Sequence, residues 1–583
     1  MTSRPILGAM RQIPLGLRGR DYIPNLFDLV AFILVMAILV LVAHSANEMK
    51  APLAVLDVQP VRLDPWLLPE YALRTTLRMF AAMAASLIFT FVVATLAAKS
   101  RRAAMIIIPA LDILQSVPVL GFLTFTVVFF LGLFPGSQLG AECAAIFAIF
   151  TAQAWNMAFS FYQSLRTLPD DLVEVTRHFG LSPWLRFWRL EAPFATPGLV
   201  WNAMMSMSGS WFFVVASEAI SVGDTRIVLP GIGSWLALAI DQQNMLAVAY
   251  AVAAIAVVIL LYDQIVFRPI VAWADKFRFE QIAAQQRPQS WVYDVFRRTR
   301  LLKRLLAPVG ALAGLLARIP VPALPIRSRR VSPGRERGAN LAFLALVLML
   351  ALYGAWLVVS YVGGSLGIGD VLEALRLGGY TLLRVTLLIV LASLVWVPIG
   401  IWIGLRPAVS QRVQPIAQFL AAFPANVLFP FAVVVIVHFG LDPNVWLSPL
   451  MVLGTQWYIL FNVIAGASVF PTDLREVSTM YRLKRSQWWR KVILPGIFPY
   501  YVTGALTASG GSWNASIVAE VASWGNTRLQ AAGLGSYIAG ATDAGDYPRV
   551  VLGIAVMSLF VVLFNQMLWR PLYRFAERRL RLN

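Results

Sequence analysis

One stretch of this chain occurs twice. Residues 174–193 read EVTRHFGLSPWLRFWRLEAP and residues 476–495 read EVSTMYRLKRSQWWRKVILP, an offset of 302. Both are polar and basic, and both lie between long apolar runs. The correspondence extends beyond them. At the same offset Trp155 meets Trp457, Asp171 meets Asp473, and Gly209-Ser210-Trp211 meets Gly511-Ser512-Trp513. Glu218 meets Glu520, Arg226 meets Arg528, and Gly233-Ser234 meets Gly535-Ser536. Earlier in each half the offset is 306, which pairs Arg78 with Arg384 and Pro118 with Pro424. Self-similarity of this kind means that one structural unit has been duplicated, so the fold has to be solved once and used twice.

The medium of that unit follows from composition. Hydrophobic residues make up 59% of the 583 residues and charged ones 13%, which excludes an ordinary soluble globule and a disordered chain. A net charge of +19 in a soluble protein would suggest nucleic acid. Here no soluble basic module exists to bind it, and Lys and Arg collect on cytoplasmic loops of membrane proteins. The single Cys143 excludes an intramolecular disulfide and a thiolate cluster, and His44, His178 and His438 show no ligand spacing. The basic N-terminus leads into an apolar run too long for a signal peptide, so it reads as a retained first span.

A span needs about 20 mostly apolar residues. The first half supplies runs at 29–46, 79–98, 104–134, 143–165, 192–217 and 245–262. The second supplies 341–362, 385–405, 413–437, 445–469, 492–519 and 550–569. Basic flanks place both ends of each half, and both termini, in the cytoplasm. The expected architecture is an all-α polytopic membrane protein. Its domains are a six-span half over 1–270, a basic linker over 271–338 and a second six-span half over 339–583. Because both halves start and end inside, the repeats are parallel and related by a pseudo-two-fold along the membrane normal. The linker reads as an amphipathic helix around 301–309 on the inner leaflet, or as a solvated connection. The irregular stretch 218–244 must be external or buried in protein, because lipid leaves irregular backbone unsatisfied.

No GxxxxGK[ST] occurs, so the chain lacks a recognisable phosphate-cradling loop. No spacing suggests a catalytic or metal site. Each polar stretch reads as a short helix across the inner face, with Asp171 or Asp473 near its N-terminus. Trp184, Trp188, Trp488 and Trp489 anchor at the interface or plug a partner's groove. Ionisable residues inside spans are functional candidates. Glu218 and Glu520 either gate a pathway or brace the irregular loop after them. Arg78 and Arg384 either snorkel to the interface or give an anion a positive entrance. Asp112 and Gln115 face Gln418 and Ala421 across the repeat, which hints at an asymmetric cavity. Gln153, Asn156, Gln456 and Asn462 line it or simply pack helices.

The repeated stretch resembles the coupling-helix signature of bacterial ABC importer permeases: Glu-Ala-Ala, three residues, Gly, nine residues, Ile-x-Leu-Pro. The first copy keeps Glu174, Gly180 and Pro193, with Val175 and Thr176 for the alanines. The second keeps Glu476, Leu494 and Pro495, but has Arg482 for the Gly. The Gly-Ser-Trp and Gly-x-Thr-Arg blocks look like permeases of nitrate, sulfonate, taurine and bicarbonate importers, over about 70–270 and 375–575. The whole resembles the fused, duplicated permease of a bacterial anion ABC importer. That resemblance implies a type I importer fold in the inner membrane. It implies two cytoplasmic ABC ATPases carrying ATP and Mg, no cofactor in this chain, and a periplasmic or lipid-tethered solute-binding protein. ATPase coupling would fall to Glu174, Gly180, Trp184, Pro193, Glu476, Arg482, Trp488 and Pro495, with Arg482 weakening the second docking surface or changing its preferred ATPase. Pathway or gate candidates are Arg78, Asp112, Gln115, Glu218, Arg226, Arg384, Gln418, Glu520 and Arg528. The rival readings are an importer of an amino acid or osmolyte, and a transporter that needs no ATPase.

Overall fold

The computed structural model describes residues 26–48, 61–116, 119–222, 225–277, 290–300, 333–468 and 470–579, with scattered positions between 304 and 315. Helices dominate it, because in lipid a chain has to satisfy its backbone within the segment. The first half contains α1 (Leu26–Glu48), α2 (Leu68–Lys99), α3 (Arg101–Ser116), α4 (Val119–Leu133), α5 (Gln138–Arg166) and the short polar α6 (Asp170–His178). It continues with α7 (Ala192–Glu218), a hairpin of β1 (Ala219–Val222) and β2 (Thr225–Val228), α8 (Ile232–Asp241) and α9 (Met245–Tyr262). The linker carries α10 (Trp291–Arg298). The second half runs α11 (Pro333–Gly363), α12 (Ile368–Gly404), α13 (Pro407–Ala422), α14 (Phe429–His438), α15 (Gln456–Ser468) and α16 (Thr472–Met480). It ends with α17 (Leu494–Ala519), β3 (Val521–Trp524), β4 (Thr527–Gln530), α18 (Leu534–Asp543) and α19 (Tyr547–Phe564).

Among the described residues eight helices are long and apolar enough to cross a membrane, and two bent pairs raise that to ten. The other two expected spans coincide with α1 and with α3 and α4, which lie either side of residues 117–118. Pro118 lies outside the described residues. Its counterpart Pro424 stands where α13 gives way to a 3-10 turn and α14, at a bend of 75°. The irregular stretch after Glu218 resolves into the hairpin and the buried helix α8, so its backbone is satisfied within protein. Gly525 takes the first turn position between β3 and β4 with φ of 56°, which a side chain would disfavour.

The repeat is geometric as well as chemical. Shifting α6, α8, α9 and the hairpin by 302 gives the bounds of α16, α18, α19 and the second hairpin. Even the π-turns repeat: Phe187–Glu191 and Asp263–Phe267 become Trp489–Ile493 and Asn565–Trp569. One span departs. α5 is a single helix of 29 residues, whereas its counterpart is broken into Pro443–Leu453 and Gln456–Ser468, bent by 43°. Pro449 and Gly454 stand there in place of Phe147 and Ala152, and a proline inside a helix removes a hydrogen bond and clashes with the preceding turn.

By compactness the chain forms two units. The first gathers residues 1–44, 168–197 and 263–326. In it the linker is fastened to the start of α1: the Arg300 backbone N–H donates to the Asp28 carboxylate at 2.9 Å, and the Arg298 guanidinium lies over the Phe27 ring at 5.4 Å. The amphipathic helix expected around 301–309 falls mostly outside the described residues. The second unit holds 45–167, 198–262 and 327–583. One core runs through both halves there, burying Val127 and Ala148 of the first with Leu450 and Trp513 of the second. Helices α3 and α4 pack on α17, α13 packs on α9, and Phe125 meets Tyr547 at 5.8 Å. Most of the apolar length of α11 is exposed, as a lipid-facing helix should be, while Val362 near its end joins the core.

The end of α6 explains its conserved turn and the odd arginine in its twin. Gly180 adopts φ of 62°, donating to the Arg177 carbonyl while Leu181 donates to that of Thr176. Arg482 adopts φ of 47° with the same two bonds, to Thr479 and, from Leu483, to Ser478. Both are helix terminators of the left-handed type. The arginine therefore keeps the backbone path but holds a strained conformation worth about 1 kcal/mol. Arg482→Gly should raise the unfolding midpoint of the purified protein in detergent, and Gly180→Ala should lower it by a comparable amount. A lower midpoint for Arg482→Gly would show that the side chain contributes more than the strain removes.

Candidate functional site

The two polar stretches are built to be touched. In α6, Asp170 and Asp171 occupy the first turn and Arg177 and His178 the last, complementing the helix dipole. Glu174 and Glu476 are exposed. So are apolar side chains beside them: Val175 and Phe179 (50% and 78%) in one copy, Val477, Met480 and Tyr481 (44%, 81% and 77%) in the other. Clustered apolar exposure on an otherwise polar helix marks an interaction surface. Trp184 is half-buried, stacked on Phe187 at 6.4 Å and edge-on to Trp188 at 5.6 Å. Trp488 meets Trp489 edge-on at 6.0 Å. Beyond these rings each stretch runs through its π-turn, past Pro193 or Pro495, into a span without a break. The helical run is 36 residues over Pro183–Glu218 and 35 over Arg485–Ala519.

At the other end of each rod sits a buried ionic clamp. Arg78 donates to both oxygens of Glu142, from Nε at 2.5 Å and Nη2 at 2.6 Å, and from Nη1 to Glu218 at 2.7 Å. All three residues are buried, Arg78 completely. One guanidinium faces two carboxylates, so a second source of positive potential is needed. The N-terminus of α8 supplies it: the Gly233 N–H donates to Glu218 Oε2 at 2.7 Å. Thr75 Oγ1 donates to Glu218 at 2.7 Å and accepts from the Ile232 N–H at 3.0 Å. A Cβ at Gly231 or Gly233 would overlap this carboxylate, which is why glycine stands there. The twin clamp ties Glu520 to Arg384 at 3.1 Å, to Thr381 at 2.8 Å and to the N–H groups of Gly535 and Ser536 at 2.7 and 3.1 Å. Asn444 replaces Glu142 at the repeat offset, and Arg384 reaches its amide oxygen at 3.5 Å.

This corrects the expectation for the arginines. Arg78 neither snorkels nor offers a positive entrance, because an unpaired buried guanidinium costs far more than the paired one. Arg384 is 13% exposed but is likewise held by its carboxylate. Glu218 and Glu520 are committed to bracing the short helices. Thr75 and Thr381 were legible only as a Thr-x-x-Arg pattern repeated at offset 306, and Glu142 lies one residue before the expected fourth span.

Two cavities lie between the halves, on successive turns of α7 and α17. The outer, of about 450 Å³, is lined by Val215, Ala219, Ile517, Ser523 and Asn426, with Arg528 paired to Asp543 at 2.7 Å among its lining. The inner, of about 120 Å³, is lined by Asn156, Gly209 and Phe212 and by their repeat counterparts Tyr458, Gly511 and Asn514. Between the two, Asn426 Nδ2 donates to the Phe212 carbonyl at 3.2 Å. Of the pathway candidates, only Arg528 lines either cavity. Gln418 is half-buried on α13 away from both, and the side chains of Asp112, Gln115 and Arg226 lie outside the described residues. Gln153 bonds Ser210 at 3.0 Å and Gln456 bonds Trp396 at 2.8 Å, so both pack helices together. Asn462 bonds back to the Tyr458 carbonyl at 2.8 Å, and Asn156 alone of these four amides faces the inner cavity. Among the described residues no cluster of His, Cys, Asp or Glu is placed to hold a metal.

The two clamps should differ in cost. Arg78→Gln leaves two buried carboxylates facing each other and should cost about 3–5 kcal/mol, seen as lost accumulation in membranes and a depressed unfolding midpoint. Arg384→Gln leaves one carboxylate near some solvent and should be clearly milder. Equal losses would show that Glu142 adds nothing to the balance.

A family of membrane transport components shares this architecture: binding-protein-dependent transport system inner membrane component matches residues 72–268 and again 396–581. Among curated relatives, the nitrate import permease protein NrtB of Leptolyngbya laminosa is 28% identical over 185 residues, 32% of this chain and 63% of that protein. The bicarbonate transport system permease protein CmpB of Synechococcus elongatus is 27% identical over 177 residues, 30% of this chain and 60% of its own length. The taurine transport system permease protein TauC of Escherichia coli is 27% identical over 186 residues, 32% of this chain and 64% of its own. Each alignment thus covers less than two thirds of the relative. The family match, by contrast, takes in most of the chain and falls on both repeats. The chain belongs to the binding-protein-dependent transport system inner membrane components and carries that family's domain twice.

Proposed function

We propose that this chain is the permease subunit of an ATP-driven importer for a small anion, driven by two separate ABC ATPase subunits. The observation that carries the reading is the repeated, exposed stretch continuous with a span that lines the cavities. ATP-driven approach of the ATPases would draw the two stretches together, and α7 and α17 would carry that movement to the cavity walls. The pathway would open outward to receive solute from a periplasmic or lipid-tethered binding protein, and hydrolysis would reset it inward. This chain supplies the pathway and the levers, and its partners supply the ATP and Mg chemistry. The names of the relatives support an anionic solute for nitrate and bicarbonate, and taurine, a zwitterion, presents the same kind of oxygens on its sulfonate. The charge reading no longer does, since Arg78 and Arg384 are neutralised where they stand.

Fusion of two halves means one chain per pair of ATPases, and two chains per pair in the purified complex would overturn this. Glu174→Arg and Glu476→Arg should each leave the chain in the membrane and the ATPases active while uptake falls. Unchanged uptake in both would make the stretches structural loops. Labelled nitrate, bicarbonate and taurine offered to proteoliposomes holding the whole complex test the solute class. Uptake of only a solute that carries no anionic oxygen group would retire the anion, and uptake without ATPase would retire the drive.

A further inference from the structure

We infer that the inner cavity is the resting station of the solute in transit, and that it holds a small oxoanion through neutral hydrogen-bond donors alone. The inference rests on the importer reading and adds to it the place and chemistry of recognition. Two polar groups of its lining residues have no hydrogen-bond partner among the described residues: the Asn156 amide and the Tyr458 hydroxyl. Tyr458 stands at the repeat position of Asn156, so the two free groups come from equivalent places in the two halves. Gly209 gives the hydroxyl its room: a Cβ there would stand 3.0 Å from the Tyr458 oxygen.

Among the described residues no charged side chain lines the cavity. Its volume of about 120 Å³ exceeds the roughly 30 Å³ that one water occupies in the liquid, so it admits a solute of several heavy atoms. Neutral donors suit a station as opposed to a trap. An N–H or O–H aimed at an oxoanion gives a charge-assisted bond, strong enough to replace part of its hydration. A guanidinium in the same low-dielectric space would hold the anion far more tightly and slow its exit, whereas conduction needs binding weak enough to leave. The clamps neutralise Arg78 and Arg384, and neither is among the described residues that line this cavity. Specificity for oxygen-bearing anions follows, because several oxygens can meet several donors at once and a spherical halide cannot.

Tyr458→Phe removes one donor and keeps the ring; Asn156→Leu removes the amide at similar volume. The purified complex is titrated with nitrate, bicarbonate, taurine or chloride while its unfolding midpoint is followed, because a ligand of the native state raises it in proportion to occupancy. At least one oxoanion should raise the midpoint of wild type more than chloride does. Each variant should need about tenfold more of that anion for the same rise, the size expected for a lost bond to a charged group. In proteoliposomes the variants should lose uptake of the same anion at low concentration. If one variant fails to fold, the other carries the test. Wild-type uptake of an oxoanion with unchanged titration and uptake in the variants would overturn the station and leave the importer standing. Absence of any anion uptake by wild type would overturn both, and a chloride effect equal to that of every oxoanion would overturn the donor chemistry.

Discussion

A carboxylate at the start of a short buried helix holds the outer end of each half together. In lipid the N-terminal N–H groups of α8 and α18 have no water to turn to, and neither do Glu218 and Glu520. Each satisfies the other, and Thr75 or Thr381 closes the same circuit by donating to the carboxylate and accepting from the helix. The arginines then neutralise what the dipoles cannot. Because the contributing residues come from the second span, the fifth span and the short helix, with Glu142 of α5 added in the first half, the clamp fixes elements that are far apart in the chain. Such a group is stable only when complete, since a buried charge without its partner is worse than an apolar residue in its place.

The rest of each half can be read as a rod fixed at that clamp and free at its polar end. The π-turns sit where the stretch becomes a span, and they recur at the same offset in both copies. A π-turn shifts the facing of side chains by a fraction of a turn without breaking the helix. It thus lets an amphipathic surface helix and a bundle helix, whose apolar faces need different directions, be one continuous piece.

Much of this was legible before any coordinates. The duplication, its offset, the span pattern and the polar stretches all follow from periodicity and from strings of identical residues. What failed was lateral. Sequence gives the depth of Arg78 in the membrane but not its neighbours, so a buried, doubly paired guanidinium was indistinguishable from one reaching for water. Glu142 was invisible because it lies at a boundary where a loop carboxylate would raise no question. Trp155 served as a marker of the repeat, yet its twin Trp457 packs on Trp396 at 5.3 Å and stays off the cavity wall. Identity across a repeat records common descent, and the role of each copy depends on which helices happen to adjoin it. Arg482 shows the converse: a change that looks like a defect leaves the same turn, because the hydrogen bonds around it decide the backbone.

Asn156 opposite Tyr458, Phe212 opposite Asn514 and Glu142 opposite Asn444 share one origin: two positions that began as the same residue now differ. In a permease assembled from two identical chains, every substitution on the pathway arrives on both walls together. A beneficial contact on one side is then tied to a harmful one on the other. Here a single base change alters one wall and leaves its opposite untouched. On the importer reading, the two walls of the cavities can therefore change one at a time, a freedom that two identical chains lack.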